Sequence, residues 1–550
     1  MSRRSLLAVL LVLGFMWFGG LDYRKLLKAD EGRYGEIPRE MTASGDWLTP
    51  RLNGYKYFEK PPLQYWGTAT AYSLFGVGEW QTRLWTALTG FFGLLFTYFA
   101  ARRLYGATVG LYAAGALAGS AFYAAAGGFV TLDMGLSFFL SAAVFALVLG
   151  QTEATRPAAR RRWMLVAWAA MALAALSKGL IGIALPVGAV GLYILWQWDW
   201  RLLARLHIGK GLALFLLIAA PWFIAVSLAN PEFAHFFFVQ EHFQRYLTTI
   251  HERYQPIWYF IPIVALGIMP WLPTLVVALP RAARERVEPP NAATRVFQPA
   301  KFLLVWCIAV FAFFSLSHSK LPPYILPIFP ALAILVGREL ARVSRAFLMG
   351  QAGLVLATSA GALVALAWLP RDPVHDYTAA MIAAYARWLD AGAIAMLLFS
   401  AAALLLAWRE RTAWSVLALG TTGFVFAQAV NLGYESVTPL VSAYHSIAPV
   451  RHSIERDAPF YAVHAYDHTL PFYLGRTVTL VHTRDELGQA VEWEPERFVP
   501  SDAAFARLWH APGKAYAAFS PAEFESLRRE YALEGEVIAR GPRYVILAKP

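Results

Sequence analysis

The sequence is poor in charge and in cysteine. Only 15% of its 550 residues are Asp, Glu, Lys or Arg, whereas 58% are hydrophobic and 15% are aromatic. This composition, with a mean hydropathy of +0.45, excludes an ordinary soluble protein and is typical of a polytopic membrane protein. The single cysteine, Cys307, lies within an apolar run, which excludes a disulfide framework and a cysteine-based metal site.

The formal net charge of +12 does not indicate a nucleic-acid partner. Lys and Arg cluster in short loops between apolar segments, as membrane topology alone requires. The polar C-terminal part also contains no phosphate loop and no G-x-G-x-x-G fingerprint. We therefore expect membrane lipids as partners and no nucleic acid.

Apolar stretches near the ~20 residues that a helix needs to cross a bilayer recur along the chain. They predict spans over 5–21, 82–101, 107–127, 134–149, 163–176, 180–196, 211–228, 258–279, 302–316, 325–340, 347–369, 391–408 and 413–432. Because several of these stretches are short, the sequence predicts about thirteen transmembrane helices.

Basic residues set the predicted orientation of these spans. Arg3 and Arg4 precede the first span, and alternate loops on the same side carry further basic pairs such as Arg102 and Arg103. The positive-inside rule makes that side cytoplasmic. No small-residue cleavage site follows the first span, which predicts a retained anchor. An odd number of spans then leaves the C-terminus on the opposite, periplasmic side.

The chain divides into a predicted transmembrane domain over 1–435 and a polar domain over 436–550. The transmembrane domain has two long outer loops. The first loop covers 22–81, and the second loop, 230–257, has aromatic and basic residues at helical spacing. This amphipathic pattern predicts an interfacial helix that lies on the membrane and gates a lipid-binding cavity, or a simple connector.

The C-terminal part alternates short β-rich runs with helical patterns. The runs cover 460–463, 478–481 and 544–547, and the helical patterns cover 503–509 and 521–533. This alternation predicts a soluble α/β domain, whose expected role is to cap the membrane site.

The first loop is where we expect the chemistry. Between 27 and 66 it is polar, charged and rich in turn-forming residues. Asp30 and Glu31 lie between an apolar run and Gly32 and Gly35, so we predict them in irregular structure at the membrane boundary. Carboxylates at such a boundary are costly and usually functional.

Other polar side chains converge on the same side of the membrane. Glu59 and Lys60 precede a double proline that fixes the backbone and forbids a helix there. The outer ends of other spans carry Asp133, Lys178, Glu241, His242, Arg245, Lys320 and Tyr324. A single cation at a helix end more often snorkels to the interface than binds a ligand. Convergence on one face nevertheless predicts one shared cavity.

Several local strings carry a family resemblance. ADEGRYGEIPREM, EKPPLQYW, Asp133 at the start of a span, SKG at 177–179 and HSKLPPYILP resemble the GT-C glycosyltransferases related to protein mannosyltransferases. Within that class the chain is similar to the transferases that attach 4-amino-4-deoxy-L-arabinose to lipid A. The resemblance covers the whole chain. It implies a bacterial inner-membrane enzyme with a periplasmic site, an undecaprenyl phosphate-aminoarabinose donor, a lipid A acceptor, and a role in polymyxin resistance.

The resemblance also implies roles for residues. It points to Asp30 as the principal catalytic carboxylate, with Glu31 and Asp133 as further candidates. The expected ligands of the donor phosphate and lipid are Lys60, Arg245, Lys178, Lys320 and Tyr324. No cofactor is required, although Glu59 and His242 are candidate ligands of a divalent cation if they converge.

Two other functions remain open from the sequence. The donor is alternatively polyprenyl-phosphate mannose or another hexose, with a protein Ser or Thr as acceptor. A transporter is also polytopic with charges on the outer side, but it should show paired interrupted helices near the membrane midplane.

Overall fold

The computed structural model describes residues 3–152, 156–244, 254–287 and 296–550. Within these ranges eight helices are long and apolar enough to cross a membrane, and one bent pair makes a ninth. The eight are Glu79–Tyr105, Leu132–Thr152, Ile208–Ala229, Pro299–Leu316, Pro322–Leu340, Arg345–Ala367, Ala379–Trp408 and Thr412–Val441. The predicted class, a polytopic helical membrane protein, is confirmed, whereas the count of about thirteen spans stays a prediction.

Charge placement suits the helix dipole in one of the long helices. The helix Glu79–Tyr105 has Glu79 in its first turn and Arg102 and Arg103 in its last. Each charge faces the helix-dipole end of opposite sign. The remaining helices of the membrane part are Arg3–Phe18, Ala107–Ala118, Ala121–Ala126, Pro157–Lys178, Ile181–Gln197 and Leu202–Arg205.

Two spans that the sequence predicted as continuous are broken. The stretch 107–127 stops at Gly119, where a Cβ atom would lie 2.5 Å from the Cα of Gly420. Glycine at both positions lets two membrane helices approach closely. The stretch 258–279 forms the helices Phe260–Gly267 and Leu272–Ala283, which are bent by 113°. We did not predict either break from the sequence.

The first loop contains a helix that the sequence did not predict. Asp30–Ser44, named here the first-loop helix, passes through Gly32, Gly35 and Pro38. We predicted irregular structure here, and this was wrong because the glycines serve packing. A Cβ atom on Gly32 would lie 2.8 Å from the backbone nitrogen of Thr469 in the C-terminal domain. The helix therefore seats that domain directly on the first loop.

The rest of the first loop follows its turn chemistry. Strands β1 (Arg51–Leu52) and β2 (Tyr55–Lys56) pair antiparallel around Asn53-Gly54, and both turn residues have positive φ. Asn-Gly is the preferred sequence for this two-residue hairpin turn. The helix Leu63–Phe75 starts directly after Pro62, as the double proline predicts.

The second loop is helical over 231–244. It forms Pro231–Ala234 and a π-helix, His235–Gln244. The Phe233 ring packs 5.3 Å from that of Phe58 in the first loop, and the Phe236 ring lies 5.2 Å from that of Trp493 in the C-terminal domain. Its aromatic face thus contacts protein, whereas we predicted a helix on the membrane surface. The part over 245–253 lies outside the described residues.

The C-terminal domain is an α/β sheet domain, as predicted. Its strands are β3 (Phe460–Val463), β4 (Thr479–Val481), β5 (Phe498–Val499), β6 (Ala515–Phe519), β7 (Glu536–Arg540) and β8 (Val545–Lys549). The order is β5-β4-β3-β6-β8-β7. The first four strands are parallel to one another, and β8 is antiparallel to both of its neighbours, β6 and β7. The α-helices after β3 are Thr469–Leu474, Gly488–Trp493, Asp502–His510 and Pro521–Glu530.

The two faces of this sheet have different partners. Because side chains alternate along a strand, Phe460 and Ala462 share a buried cluster with Leu52 of the first loop. Tyr461 and Val463 face the other way, into a cluster with the helices Asp502–His510 and Pro521–Glu530. Short helical turns over 434–453 join the last membrane helix to the sheet. One face of the domain therefore covers the first loop.

Candidate active site

Asp30, the first residue of the first-loop helix, lies in a cluster of charged side chains with Arg33, Asp133, Lys178 and Glu486, which is named here the charged recess. Its side chain is 41% exposed, yet protein surrounds it on most sides. Burial raises the pKa of the Asp30 carboxyl. Arg33 and Lys178 oppose this rise, whereas the like charges of Asp133 and Glu486 add to it. These five charged groups, three acidic and two basic, share one electrostatic neighbourhood.

Asp133 and Lys178 form the second part of the recess. Lys178 Nζ lies 2.5 Å from Asp133 Oδ1, and both side chains are largely buried. Asp133 is in the first turn of its helix and Lys178 is in the last turn of the next, so both charges suit the helix dipoles. The Lys178 ammonium also lies 4.5 Å from the ring centroid of Tyr324. The structure thus brings Asp133, Lys178 and Tyr324 together, and Asp30 lies close enough for Asp133 and Lys178 to influence its charge.

Arg33 and Glu486 complete the recess, and sequence reasoning missed both. Arg33 pairs with Asp30 at 3.4 Å, one helical turn away, and with Glu486 of the C-terminal domain. Glu486 also lies 3.2 Å from Nε2 of the buried His468. The i, i+3 spacing within ADEGRY was the available signal for Arg33 once that stretch is a helix. Glu486 is 453 residues away in the chain and gave no signal.

Three tyrosines form a wall beside these charges. Tyr34 and Tyr57 lie 5.6 and 5.9 Å from the Arg33 guanidinium, and the Tyr34 and Tyr65 rings are 6.1 Å apart. The hydroxyls of Tyr57 and Tyr65 are buried without a hydrogen-bond partner among the described residues. Burial raises the pKa of both phenols, so they stay protonated at neutral pH. Each keeps a donor that the described residues leave unsatisfied, although neither hydroxyl reaches the surface.

Lys60 lies between acidic groups of the two loops. Its Nζ donates to the Glu59 backbone carbonyl at 2.7 Å and to Glu241 Oε2 at 3.0 Å. An ammonium carries three donors, so a third N–H can serve a phosphate oxygen. Arg245, its predicted partner, lies outside the described residues, as does the side chain of His242. The roles of Lys60 and Arg245, and the Glu59–His242 metal site, therefore stay predictions.

Glu31 lies away from the recess, inside a sealed ion cluster. Both oxygens are bound by Arg24 at 2.5 and 2.8 Å and by Arg83 at 3.0 Å. The Leu27 and Val130 amides also donate to Glu31. Burial opposes ionisation of the Glu31 carboxyl, but the two arginines outweigh it and lower its pKa to about 2. Glu31 has no exposed surface, so we assign it to holding the first loop and not to contacting a sugar.

Lys320 is likewise held by the fold. Its Nζ donates to the backbone carbonyls of Gln255 at 2.8 Å and of Ser317 at 2.6 Å. Ser317 follows the last residue of the helix Pro299–Leu316, where a cation stabilises carbonyls that lack helical partners. This arrangement does not bring Lys320 into the charged recess.

An apolar cavity of about 500 Å³ lies between the helices that carry Asp133 and Lys178. Its lining includes Ala143 and Leu147 from one helix, Met171 from the other and Val190 from the helix Ile181–Gln197. Ala143 and Leu147 are about 15–21 Å along their helix from Asp133, at 1.5 Å per residue. Asp133 and Lys178 thus lie at the ends of two helices that also line an apolar space farther along their length.

We predict that Arg33→Gln moves the acidic limb of the pH–rate profile to higher pH. Arg33 opposes the rise in the Asp30 pKa, so its removal raises that pKa and the carboxylate is lost at higher pH. Measuring kcat/KM against pH for wild type, Arg33→Gln and the charge-conserving Arg33→Lys isolates this effect, because substrate titration is common to all three. If the acidic limb of the kcat/KM profile does not move in Arg33→Gln, the ionisation of Asp30 does not control the reaction.

Comparison with known proteins agrees with this arrangement. Residues 4–237 match the model of the dolichyl-phosphate-mannose-protein mannosyltransferase family, and residues 447–549 match the aminoarabinose transferase C-terminal domain. The crystal structure of ArnT from Cupriavidus metallidurans bound to undecaprenyl phosphate superposes with a TM-score of 0.93 at 38% identity. The alignment covers 100% of this chain and 98% of that one. The apo structure of the same enzyme gives a TM-score of 0.91.

Curated relatives carry one name. The undecaprenyl phosphate-alpha-4-amino-4-deoxy-L-arabinose arabinosyl transferase of Pseudomonas paraeruginosa is 33% identical over 392 residues, which is 68% of each chain. The transferase of that name from Aeromonas hydrophila is 34% identical over 374 residues, 66% of this chain and 65% of that one.

Fold, site and relatives together define a multi-pass membrane glycosyltransferase that uses a lipid-linked sugar donor. Within that class, the chain belongs to the undecaprenyl phosphate-aminoarabinose arabinosyl transferase family. The family resemblance predicted from the first-loop strings is confirmed.

Proposed function

We propose that this protein transfers 4-amino-4-deoxy-L-arabinose from undecaprenyl phosphate to a phosphate of lipid A. The observation that carries the proposal is the cluster of charged side chains around Asp30, Asp133 and Lys178 at one end of the membrane helices. Asp30, Asp133 and Glu486 place three carboxylates in this cluster. A carboxylate can bind the protonated amino group of an aminoarabinose. A neutral hexose has no such cation to offer.

The recess also offers what a lipid phosphate requires. The polyprenyl chain needs an apolar space, which the cavity between the Asp133 and Lys178 helices supplies. The phosphate needs cations at the head of that space, and Lys178 and Lys60 are the described candidates. The relatives' names and the undecaprenyl phosphate in the ArnT crystal structure support this donor.

The proposed reaction is a single displacement at the anomeric carbon. An oxygen of the lipid A phosphate forms the new bond to that carbon, and the bond from the carbon to the donor phosphate oxygen breaks. Undecaprenyl phosphate leaves with the electron pair, so the cations stabilise charge that develops on it. The acceptor phosphate is already ionised, so no general base has to remove a proton.

This chemistry assigns Asp30 an electrostatic role. A carboxylate beside the sugar stabilises the positive charge that develops at the anomeric carbon, or binds the sugar ammonium directly. Either role requires the charged form of Asp30. A bound ammonium would in turn lower the raised pKa of Asp30, because opposite charges favour ionisation.

We predict that Lys60→Ala weakens donor binding by about 1.5–3 kcal/mol, the value of a desolvated charge-assisted hydrogen bond. Equilibrium binding of undecaprenyl phosphate to the purified variant measures this. Lys56→Ala is the matched control, because Lys56 lies in the same loop and pairs with Glu232 instead. Unchanged affinity in Lys60→Ala would show that the Lys60 ammonium serves only the fold.

The proposal places the enzyme in the bacterial inner membrane with its N-terminus cytoplasmic and its recess and C-terminal domain periplasmic. The basic loops on one side of the apolar segments support this orientation. We predict that alkaline phosphatase fused after Leu440 is active, because that enzyme works only outside the cytoplasm. A stable but inactive fusion would reverse the orientation and move the site to the other face.

The test of the function is mass analysis of lipid A from cells with and without this protein. We expect the mass of one aminoarabinose residue to appear on lipid A only when the protein is present. A hexose on protein Ser or Thr, with unchanged lipid A, would support the polyprenyl-phosphate hexose alternative instead.

A further inference from the structure

A second cluster of polar side chains lies on the C-terminal domain, at one edge of its sheet. Strands β5, β4, β3 and β6 are neighbours and parallel, so their carboxyl ends meet at the same edge. This edge is where open α/β sheets usually bind ligands. His464 directly follows β3, His482 directly follows β4, and Asp502 comes three residues after β5.

The donor atoms of these three residues converge. His464 Nε2 lies 2.6 Å and His482 Nδ1 lies 3.3 Å from the same atom, Asp502 Oδ1. All three donor atoms lie within 4.8 Å of one another, and no other such group of metal-binding side chains occurs in the described parts of the chain. On the far side of His464, its Nδ1 lies 3.4 Å from Glu523 Oε2.

The backbone holds both imidazoles in an unusual conformation. His464 and His482 have φ angles of 56° and 61°, in the left-handed region that L-residues other than glycine seldom occupy. Each amide still bonds the neighbouring strand, His464 to the Val481 carbonyl and His482 to the Val499 carbonyl. Both histidines adopt this energetically unfavourable backbone conformation at the ends of adjacent strands, and their side chains meet. Such conformations cluster at functional sites.

We propose that His464, His482 and Asp502 bind a divalent transition metal of the zinc type. Two imidazoles and a carboxylate are typical zinc ligands, with metal–ligand distances of about 2.0–2.2 Å. In a tetrahedral site this places ligand atoms about 3.3 Å apart. The His482–Asp502 pair already has that spacing, and the His464–Asp502 pair has to open by less than 1 Å.

The surroundings complete a metal site. Glu523 Oε2 lies 3.4 Å from Nδ1 of His464, and a small movement would let it accept the Nδ1 proton and leave Nε2 for the ion, as in a carboxylate–histidine–metal relay. His482 is 53% exposed and Glu523 is 49% exposed, so the ion can enter from solvent. Three protein ligands leave the fourth position to water.

The site would tie the first-loop recess to the sheet edge. The loop that begins at His482 continues to Glu486, the residue that pairs with Arg33 in the recess. A metal bound at His482 would fix the start of this loop to the ends of β3 and β5. The site lies outside the transfer chemistry proposed above, and its test does not depend on that chemistry.

Zinc binding to the purified full-length protein, without an affinity tag, tests the site. We expect the wild type to retain one zinc equivalent after desalting. His482→Gln and Asp502→Asn should bind zinc at least tenfold more weakly, and Glu523→Gln about 10- to 100-fold more weakly through loss of the relay. In wild type, Co²⁺ in place of Zn²⁺ should give the visible absorption bands of a tetrahedral site.

Two controls separate this site from others. His452→Gln removes an exposed histidine of the same region and should leave binding unchanged. Glu59→Gln tests the candidate ligand in the first loop. Zinc binding that survives both His482→Gln and Asp502→Asn would overturn the proposal, as would loss in Glu59→Gln alone. A wild type that holds no zinc would show that the cluster is only a hydrogen-bonded pair of histidines on a carboxylate.

Discussion

Asp30→Asn is expected to abolish sugar transfer while the protein stays folded and still binds the donor phosphate. The substitution keeps the shape of the side chain and removes the charge on which the reaction depends. Loss of one preorganised electrostatic group in a site of this kind costs about 10²- to 10³-fold in kcat, so no product should be detected in the time that the wild type needs for one turnover. Folding should persist because Asp30 is 41% exposed and, among the residues that the structure describes, its one ion pair within 4 Å is with Arg33. Single-turnover transfer from undecaprenyl phosphate-aminoarabinose measures the loss.

Asp46→Asn is the matched control for this substitution. Asp46 lies just beyond the other end of the first-loop helix, where its carboxylate accepts hydrogen bonds from the Leu48 and Thr49 amides. The same chemical change there should leave transfer unchanged. Asp30→Glu should retain little activity, because the added methylene displaces the charge. Near wild-type transfer in Asp30→Asn would show that Asp30 is not essential and would make Asp133 the next candidate for the essential carboxylate.

Glu31→Gln is expected to destabilise the protein by about 3–5 kcal/mol, the usual cost of removing one partner from a buried ion pair. The amide would leave Arg24 and Arg83 buried without a counter-charge. Thermal unfolding of the purified protein at one scan rate should show a large drop in the transition temperature. Transfer per folded molecule should fall far less than in Asp30→Asn.

Glu410→Gln provides the comparison for Glu31. It removes an ion pair with Arg345 in which the glutamate is 77% exposed, and such pairs contribute about 0–1 kcal/mol.

The contribution of Glu31 to stability should depend on pH. The pKa of Glu31 is lowered from 4.5 to about 2, so its stabilisation is complete above pH 4.5 and is lost as the pH falls towards 2. A Glu31→Gln protein with normal stability but no transfer would place Glu31 in the chemistry.

Local patterns in the sequence predicted much of the fold. The β-rich runs 460–463, 478–481 and 544–547 are strands within a residue or two, because they are short runs of β-branched, aromatic and other apolar residues between polar segments. Helix starts follow the prolines, as at Leu63. In each case a short-range rule is sufficient, and no distant contact competes with it.

The first-loop helix shows where short-range rules fail. Gly32, Gly35 and Pro38 favour turns in isolation, yet they lie inside a helix. Gly32 lies against Thr469, and Gly35 lies against Leu26, Thr82 and Phe472. The glycines allow these tertiary contacts, which offset the low helix propensity. A sequence read locally does not show a partner more than 400 residues away.

The site was only partly predictable, because some of its residues have a local signal in the sequence and others are brought in from distant parts of the chain. Asp30, Asp133 and Lys178 stand at ends of helices, where the sequence shows isolated charges beside apolar runs. The Arg33–Glu486 pair joins two domains, and the three tyrosines look like ordinary core residues in the sequence. Glu31 was misplaced because its neighbour in the chain faces the recess. Helical geometry turns Glu31 by about 100° to the opposite ion cluster.

The most direct test of the proposed function combines the purified protein, undecaprenyl phosphate-linked aminoarabinose and lipid A, and follows both lipids by mass spectrometry. We predict that lipid A gains one aminoarabinose residue on a phosphate, that one undecaprenyl phosphate is released for each residue transferred, and that Asp30→Asn gives neither product. Lipid A of unchanged mass in the presence of folded, donor-bound wild-type protein would contradict the proposal.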